Sequence, residues 1–239
     1  MSSHAQSPTV AEVLSDVRND LRAVSIDAYI PAKYLHHKLL DNAKLFVKRD
    51  GDNMKFQLYP TIWVTIDDFE MEEMPLVQGS DVTLPNCNTV MVSKFKLPDI
   101  YTTRFGYLID IETHDINTFV DWTQLTPREY KLTKTRRYQD PKKRYFWIYN
   151  NHLVIPDSLI RSVTLRAVFT DKAQGLRLKY GPDACVKTLE QEFTVPGHLL
   201  DDVKNATVQK ILTTRSRVAP NEYPNLNENK KDSPSAANK

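Results

Sequence analysis

Several groups of residues have types and spacings that could do chemistry. His37 and Asp41 are four apart, which places them on one face of a helix beside His36 as half of a metal site. No second pair completes it, and a solvated helix face is the plainer reading. Asp68, Glu70 and Glu72 alternate along the chain and would share one face of a strand. Carboxylates that close could act as acid and base or bind a hard cation. An exposed charged edge that resists aggregation, or an acidic patch for a basic partner, needs less. Cys87 and Cys185 stand apart without a signature around either, as small buried hydrophobes commonly do. Asn205-Ala206-Thr207 is a glycosylation sequon, which matters only in a secreted chain.

The basic run offers more. Arg128, Lys131, Lys134, Arg136, Arg137, Lys142, Lys143 and Arg144 fall within a short stretch, opposed only by Glu129 and Asp140. Tyr130, Tyr138 and Tyr145 interleave with them, and bases with aromatics can hold phosphates and stack nucleobases. No known nucleic-acid module surrounds them, so a solvated loop is the alternative. The charge is segregated. From Phe56 to Ser93 there is no Lys or Arg, while Asp67, Asp68, Glu70, Glu72, Glu73 and Asp81 are all negative. Separate acidic and basic patches on one surface suit head-to-tail contacts between copies, which close into rings when the rotation permits.

Composition narrows the classes. The chain has 239 residues, 41% of them hydrophobic and 26% charged, with a net charge of +2. That is enough apolar mass for a core and too little net charge to draw nucleic acid by itself. Only six glycines occur, each alone, and no phosphate-cradling loop or nucleophile elbow is present. No run of about 18 apolar residues could cross a membrane. No secretory signal is visible and two cysteines make no disulfide framework, so an intracellular, reducing origin is expected.

The elements that position these groups follow from periodicity. Thr9 and Glu12 have capping-box spacing, and Val10, Val13, Leu14, Val17, Leu21 and Val24 recur as one helical stripe. Pro31 suits a helix start, followed by Leu35, Leu39, Ala43 and Phe46, with Leu40 and Val47 widening the stripe and Asp50-Gly51-Asp52-Asn53 ending it. From Tyr59 the period becomes two: Ile62, Val64, Ile66; Tyr107, Ile109, Ile111; Val163, Leu165, Ala167, Phe169. Asn150-Asn151 between Tyr145–Tyr149 and His152–Ile155 predicts a two-residue hairpin. Leu200, Val203, Thr207 and Ile211 mark a last helix, and Val218–Lys239 is polar.

The expected fold is therefore α+β: a small helical bundle, two N-terminal helices plus a C-terminal one, with an inserted antiparallel β domain and an extended tail. Its expected divisions are a helical hairpin at 1–55, the β domain at 56–195, the helix at 196–217 and the tail at 218–239.

Three stretches carry a family resemblance: V-A-E-V-L-S-D-V-R-N-D-L-R-A from Val10 with I-P-A-K-Y-L-H-H-K-L-L-D-N-A-K-L-F-V-K-R from Ile30; T-I-W-V-T-I-D-D-F-E-M-E-E from Thr61; and Y-Q-D-P-K-K-R-Y-F-W-I-Y-N-N-H-L-V-I-P-D from Tyr138 with the strand from Val163. In these the chain resembles head-to-tail connector, or ring, proteins of short-tailed phages, above all structural proteins of the crAss-like phages. The last stretch is also similar to tubular tail proteins. The resemblance implies a virion structural protein of the neck or tail, not an enzyme, without cofactor or metal. It implies a homo-oligomeric ring of about twelve copies, assembled in the host cytoplasm, that docks on a portal or an adjacent tail ring. Such a ring extends the DNA channel and touches genomic DNA in passing, with no membrane partner. Its tail, through Tyr223 and Leu226, would dock on a neighbour. A nucleic-acid-binding module using 128–144 is the alternative, and a hydrolase using Asp68, Glu70 or Glu72 a third reading.

Overall fold

The computed structural model describes residues 7–24, 30–50, 56–75, 89–113, 120–136, 138, 140, 142–156 and 160–217. The expected turn at Gly51–Asn53, together with Cys87, Asp81, Arg137, Tyr223, Leu226 and the tail 218–239, lies outside the described residues.

Helix α1 (Val10–Val24) begins at the expected box: Thr9 N–H donates to Glu12 Oε2 (2.8 Å) and Glu12 N–H to Thr9 Oγ1 (3.3 Å). Val10, Val13, Leu14, Val17 and Leu21 are buried, whereas Val24 is exposed. Helix α2 (Ala32–Asp50) follows Pro31 and buries Leu35, Leu39, Ala43 and Val47, with Phe46 half-buried. Helices of this length are marginal alone, so these side chains hold them, at about 1.5–3 kcal/mol for each fully buried one. Their partner is the last helix, Gly197–Arg217, which presents Leu199, Val203, Thr207 and Ile211 to both.

Between these helices lies a seven-stranded sheet. Its strands are β1 (Val64–Pro75), β2 (Thr89–Ser93), β5 (Ile109–Glu112), β6 (Asp121–Gln124), β7 (Lys143–Tyr149), β8 (His152–Ile155) and β9 (Ser162–Ala167); a small separate pair is β3 (Thr102–Thr103) with β4 (Gly106–Tyr107). The order is β5-β9-β1-β2-β8-β7-β6, antiparallel except for β6 with β7. That exception has a local cause. Helix α3 (Pro127–Lys134) crosses from β6 to β7, and such a crossover returns the chain in the same direction. The short helix α4 (Lys172–Tyr180), capped by Asp171, follows β9, and Gly197–Arg217 is then α5.

The two ends of the strand order come back together. Tyr107 N–H, just before β5, donates to Gln124 Oε1 at the end of β6 (3.0 Å), and the open space at Gly106 receives the same Gln124 amide. The sheet thus curls around one core that includes Ile66, Phe69, Ile111, Phe146 and Leu165, with Trp122 packed against it.

The two cores share a wall. Val168 and Leu108, which follow and precede the paired strands, turn toward the helices, while Ala167 and Phe169 stay in the sheet core. Val168 N–H donates to the Leu108 carbonyl, and Tyr101 N–H to that of Val168, both at 3.0 Å. Phe56, Ile62, Tyr101, Phe193 and Val195 also complete the helical core. Ile62 differs from its expected strand position: Pro60 starts a single 3₁₀ turn, and the strand begins at Val64. The hairpin is as expected, with Asn150 and Asn151 at φ 49° and 63° and Tyr149 paired to His152.

Candidate functional site

Strand β1 carries the acidic segment, and its backbone decides where the charges point. Ile66 pairs with Leu165 and Phe69 with Val163, so β1 has one extra residue there. Asp68 absorbs it at φ 51°, a left-handed conformation that Asp tolerates. Simple alternation from Val64 and Ile66 would turn Asp68, Glu70 and Glu72 into the core. The bulge shifts the phase, so Phe69 and Met71 go in and Asp68, Glu70 and Glu72 come out together. They share a face, as the spacing predicts.

These carboxylates are not equivalent. Lys94 Nζ lies 2.8 Å from Glu70 Oε2, and Lys179 Nζ 3.9 Å from Asp67 Oδ2. The hydrogen bond that Lys94 donates to Glu70, then the charges of Glu70 and Glu72, hold the Lys94 ammonium above the usual lysine range. Glu72 and Glu73 are exposed and make no ion pair among the described residues. Beyond Glu70, β1 pairs with β2 alone among the described residues, so Glu72–Pro75 lie on an edge of the sheet.

The first half of the basic segment is a helix, Pro127–Lys134, not a loop. Thr126 Oγ1 accepts from Glu129 N–H (3.3 Å), and Glu129 Oε2 accepts from Thr126 N–H (2.7 Å), a full capping box with Pro127 in the first turn. The backbone bond from Thr126, then the one from its hydroxyl, hold the Glu129 carboxyl below the usual range. T-P-R-E was the signal for this helix, and the density of charge hid it. Tyr130 anchors α3, packing on Trp147 (5.5 Å between centroids) and Tyr145 (5.8 Å). Arg128, Lys131 and Lys134 stay exposed, with Lys134 over the Tyr130 ring (5.5 Å). Arg136, Lys142, Lys143 and Arg144 are exposed as well, and Lys143 reaches Asp121 at 4.0 Å.

The register relates the two segments. Glu72 is opposite Val92, Val92 opposite Val154, and Val154 opposite Trp147. Paired residues point to the same side, so Glu72 and the α3 platform lie on one face of the sheet, three strands or about 14 Å apart.

Residues 12–232 match the family described as phage tail ring protein 2, a family of the crAss-like phages. The chain belongs to that family. As a phage tail ring protein it is a structural component of the virion, built to assemble with other copies. No curated protein matches it. No helix among the described residues is long and apolar enough to cross a membrane.

The remaining candidates gather nothing around them. In this ring protein His37 Nε2 and Asp41 Oδ2 are 3.7 Å apart on an exposed helix face, and no cluster of three metal-ligating side chains occurs among the described residues. Partial burial, opposed by Asp171 and reinforced by His37, holds the His36 imidazole below its usual range. Cys185 is exposed. Thr207 of the sequon is buried in the bundle.

Proposed function

We propose that this ring protein is a head-to-tail connector adaptor: about twelve copies close into a ring below the portal, extend its DNA channel, and perform no catalysis. Neighbouring copies meet through the acidic strand of one (Asp67, Asp68, Glu70, Glu72, Glu73 and Asp81) and the basic segment of the next (Arg128 to Arg144). The observation that carries this is the pair Glu72 and Glu73, without ion pairs among the described residues, and the equally unpaired Arg128, Lys131, Arg136 and Lys142 three strands away. Exposed charges without an ion pair among the described residues are suited to complementary contact with another copy. The tail from about Ala219, through Tyr223 and Leu226, reaches an adjacent subunit or partner ring.

Native mass spectrometry and negative-stain images test it. Reversing Arg128, Lys131, Arg136 and Lys142 to Glu should abolish rings, and Glu72→Lys with Glu73→Lys in the same chain should restore them in part. Rings unchanged by the reversal would remove this interface. A second reading has one observation behind it: Tyr138 is 85% exposed within the basic segment, an arrangement that stacks on nucleobases. Tight DNA binding that falls steeply with salt would favour it, whereas a channel wall past which DNA slides should bind weakly.

A further inference from the structure

A cavity of about 220 Å³ opens between the second half of α2 and the loop that precedes β3. Leu97 and Ile100 make a buried apolar floor, pinned by the Leu97 N–H bond to the Asn151 carbonyl (2.6 Å). Leu45, 60% exposed, stands at its rim. Two lysines border it. Lys44 is neutralised by Asp99 at 2.8 Å, and Lys48 has no ion pair among the described residues. The volume is below the roughly 300–1,000 Å³ of small-molecule sites, and suits one or two side chains. An apolar floor with one unbalanced cation at the edge suits an apolar anchor flanked by a carboxylate.

This chain contains such a segment. Beyond Arg217 the sequence is polar, and from Pro220 on its large apolar side chains are Tyr223 and Leu226, bracketed by Glu222 and Glu228. The span matched by the family, residues 12–232, includes this segment. Tyr223 lies six residues past the end of α5, a reach of up to about 20 Å, enough to cross onto an abutting copy.

We infer that the α2 cavity receives the Glu222–Glu228 segment of a neighbouring copy, with Tyr223 or Leu226 seated over Leu97 and Ile100 and a flanking carboxylate on Lys48. The contact rests on the ring reading above and names the receptor for its tail.

The test uses the full chain with a photo-crosslinking residue at Leu45, an exposed position, in a mixture of isotopically light and heavy protein. Mass spectrometry should find crosslinks from position 45 to residues 220–228, in mixed-isotope pairs. Lys48→Glu should reduce their yield at least five-fold while leaving the circular dichroism spectrum unchanged. Crosslinks that avoid 220–228, or that stay within one chain, would overturn the inference. Native mass spectrometry of the same sample separates it from the ring reading. Rings whose crosslinks fall elsewhere would sink the receptor and keep the ring. Tail-linked dimers without rings would keep the receptor and count against the ring. Monomers without these crosslinks would sink both.

Discussion

Asn42 donates through Nδ2 to Thr207 Oγ1 at 2.8 Å, joining α2 to α5 across 165 residues of sequence. Both residues are buried, at 4% and 0% exposure, in a bundle whose core is otherwise made of apolar side chains such as Leu39, Val203 and Ile211. Thr207 in turn donates to the Val203 carbonyl at 2.7 Å, and Lys210 approaches Asn42 Oδ1 at 3.4 Å. The Asn42 amide therefore has one correct seat, which sets how far α5 slides along α2. Leu and Val contacts alone would tolerate such a slide.

Thr207→Val keeps the shape and strands the Asn42 amide in the core. We expect a loss of about 1–3 kcal/mol, the cost of a buried unsatisfied donor, read as a lower urea midpoint at unchanged slope. Asn42→Leu combined with Thr207→Val should recover much of it. Equal stability of the single variant and the parent would refute this role.

The bulge at Asp68 gives a second prediction. A β-branched residue at φ 51° is strained, so Asp68→Val should cost about 1–2 kcal/mol while Asp68→Gly is tolerated. Deleting Asp68 should be the milder change. It removes the extra residue and returns β1 to plain alternation with Phe69 and Met71 still inward and Glu70 and Glu72 still outward, so the variant should fold. A deletion variant that fails to fold would refute the assignment of Asp68 as the extra residue.

Gly175 supplies a packing test. A Cβ there would sit 2.2 Å from Cδ2 of Phe169, a fully buried core ring. Gly175→Ala should destabilise by about 1–3 kcal/mol despite the better helix propensity of Ala. Gly175→Ala with Phe169→Leu should be closer to the Phe169→Leu parent. A stabilised single variant would contradict the close approach of α4 to the sheet.

The α3 capping box predicts a pH dependence. Glu129 is held below its unfolded value, so its contribution is complete above the ordinary carboxylate range and is lost as pH falls through the depressed value. Amide protection factors in 127–134, taken against the intrinsic exchange rate at each pH, should therefore fall in acid more than those in β9. Glu129→Gln should flatten that difference. Thr126→Ala should cost about 1 kcal/mol in local protection at neutral pH. Uniform acid sensitivity across α3 and β9 would exclude the cap as its source.

Much of this ring protein is written in short-range sequence. The Thr9/Glu12 box, the stripes of α1 and α2, the Asn150-Asn151 turn and the alternation in β9 each depend on neighbours within a few residues, where local sterics and periodicity decide. The segregation of charge was equally plain, because it needs only a count. Local signals also marked α3 and α4, with Thr126-Pro127 and Asp171 as caps, but dense charge in one and a mid-helix glycine in the other masked them. Tertiary structure decided the rest. The bulge that turns Asp68, Glu70 and Glu72 outward exists because β9 offers Leu165 and Val163 to Ile66 and Phe69, a pairing about a hundred residues distant in sequence. Val168 and Leu108 face the bundle because the sheet is walled on that side by helices from both ends of the chain. The acidic strand and basic helix share a face only through the register from Glu72 to Trp147. Periodicity states which residues of one element lie together; which elements those faces meet depends on packing between distant segments, and only the folded chain contains it.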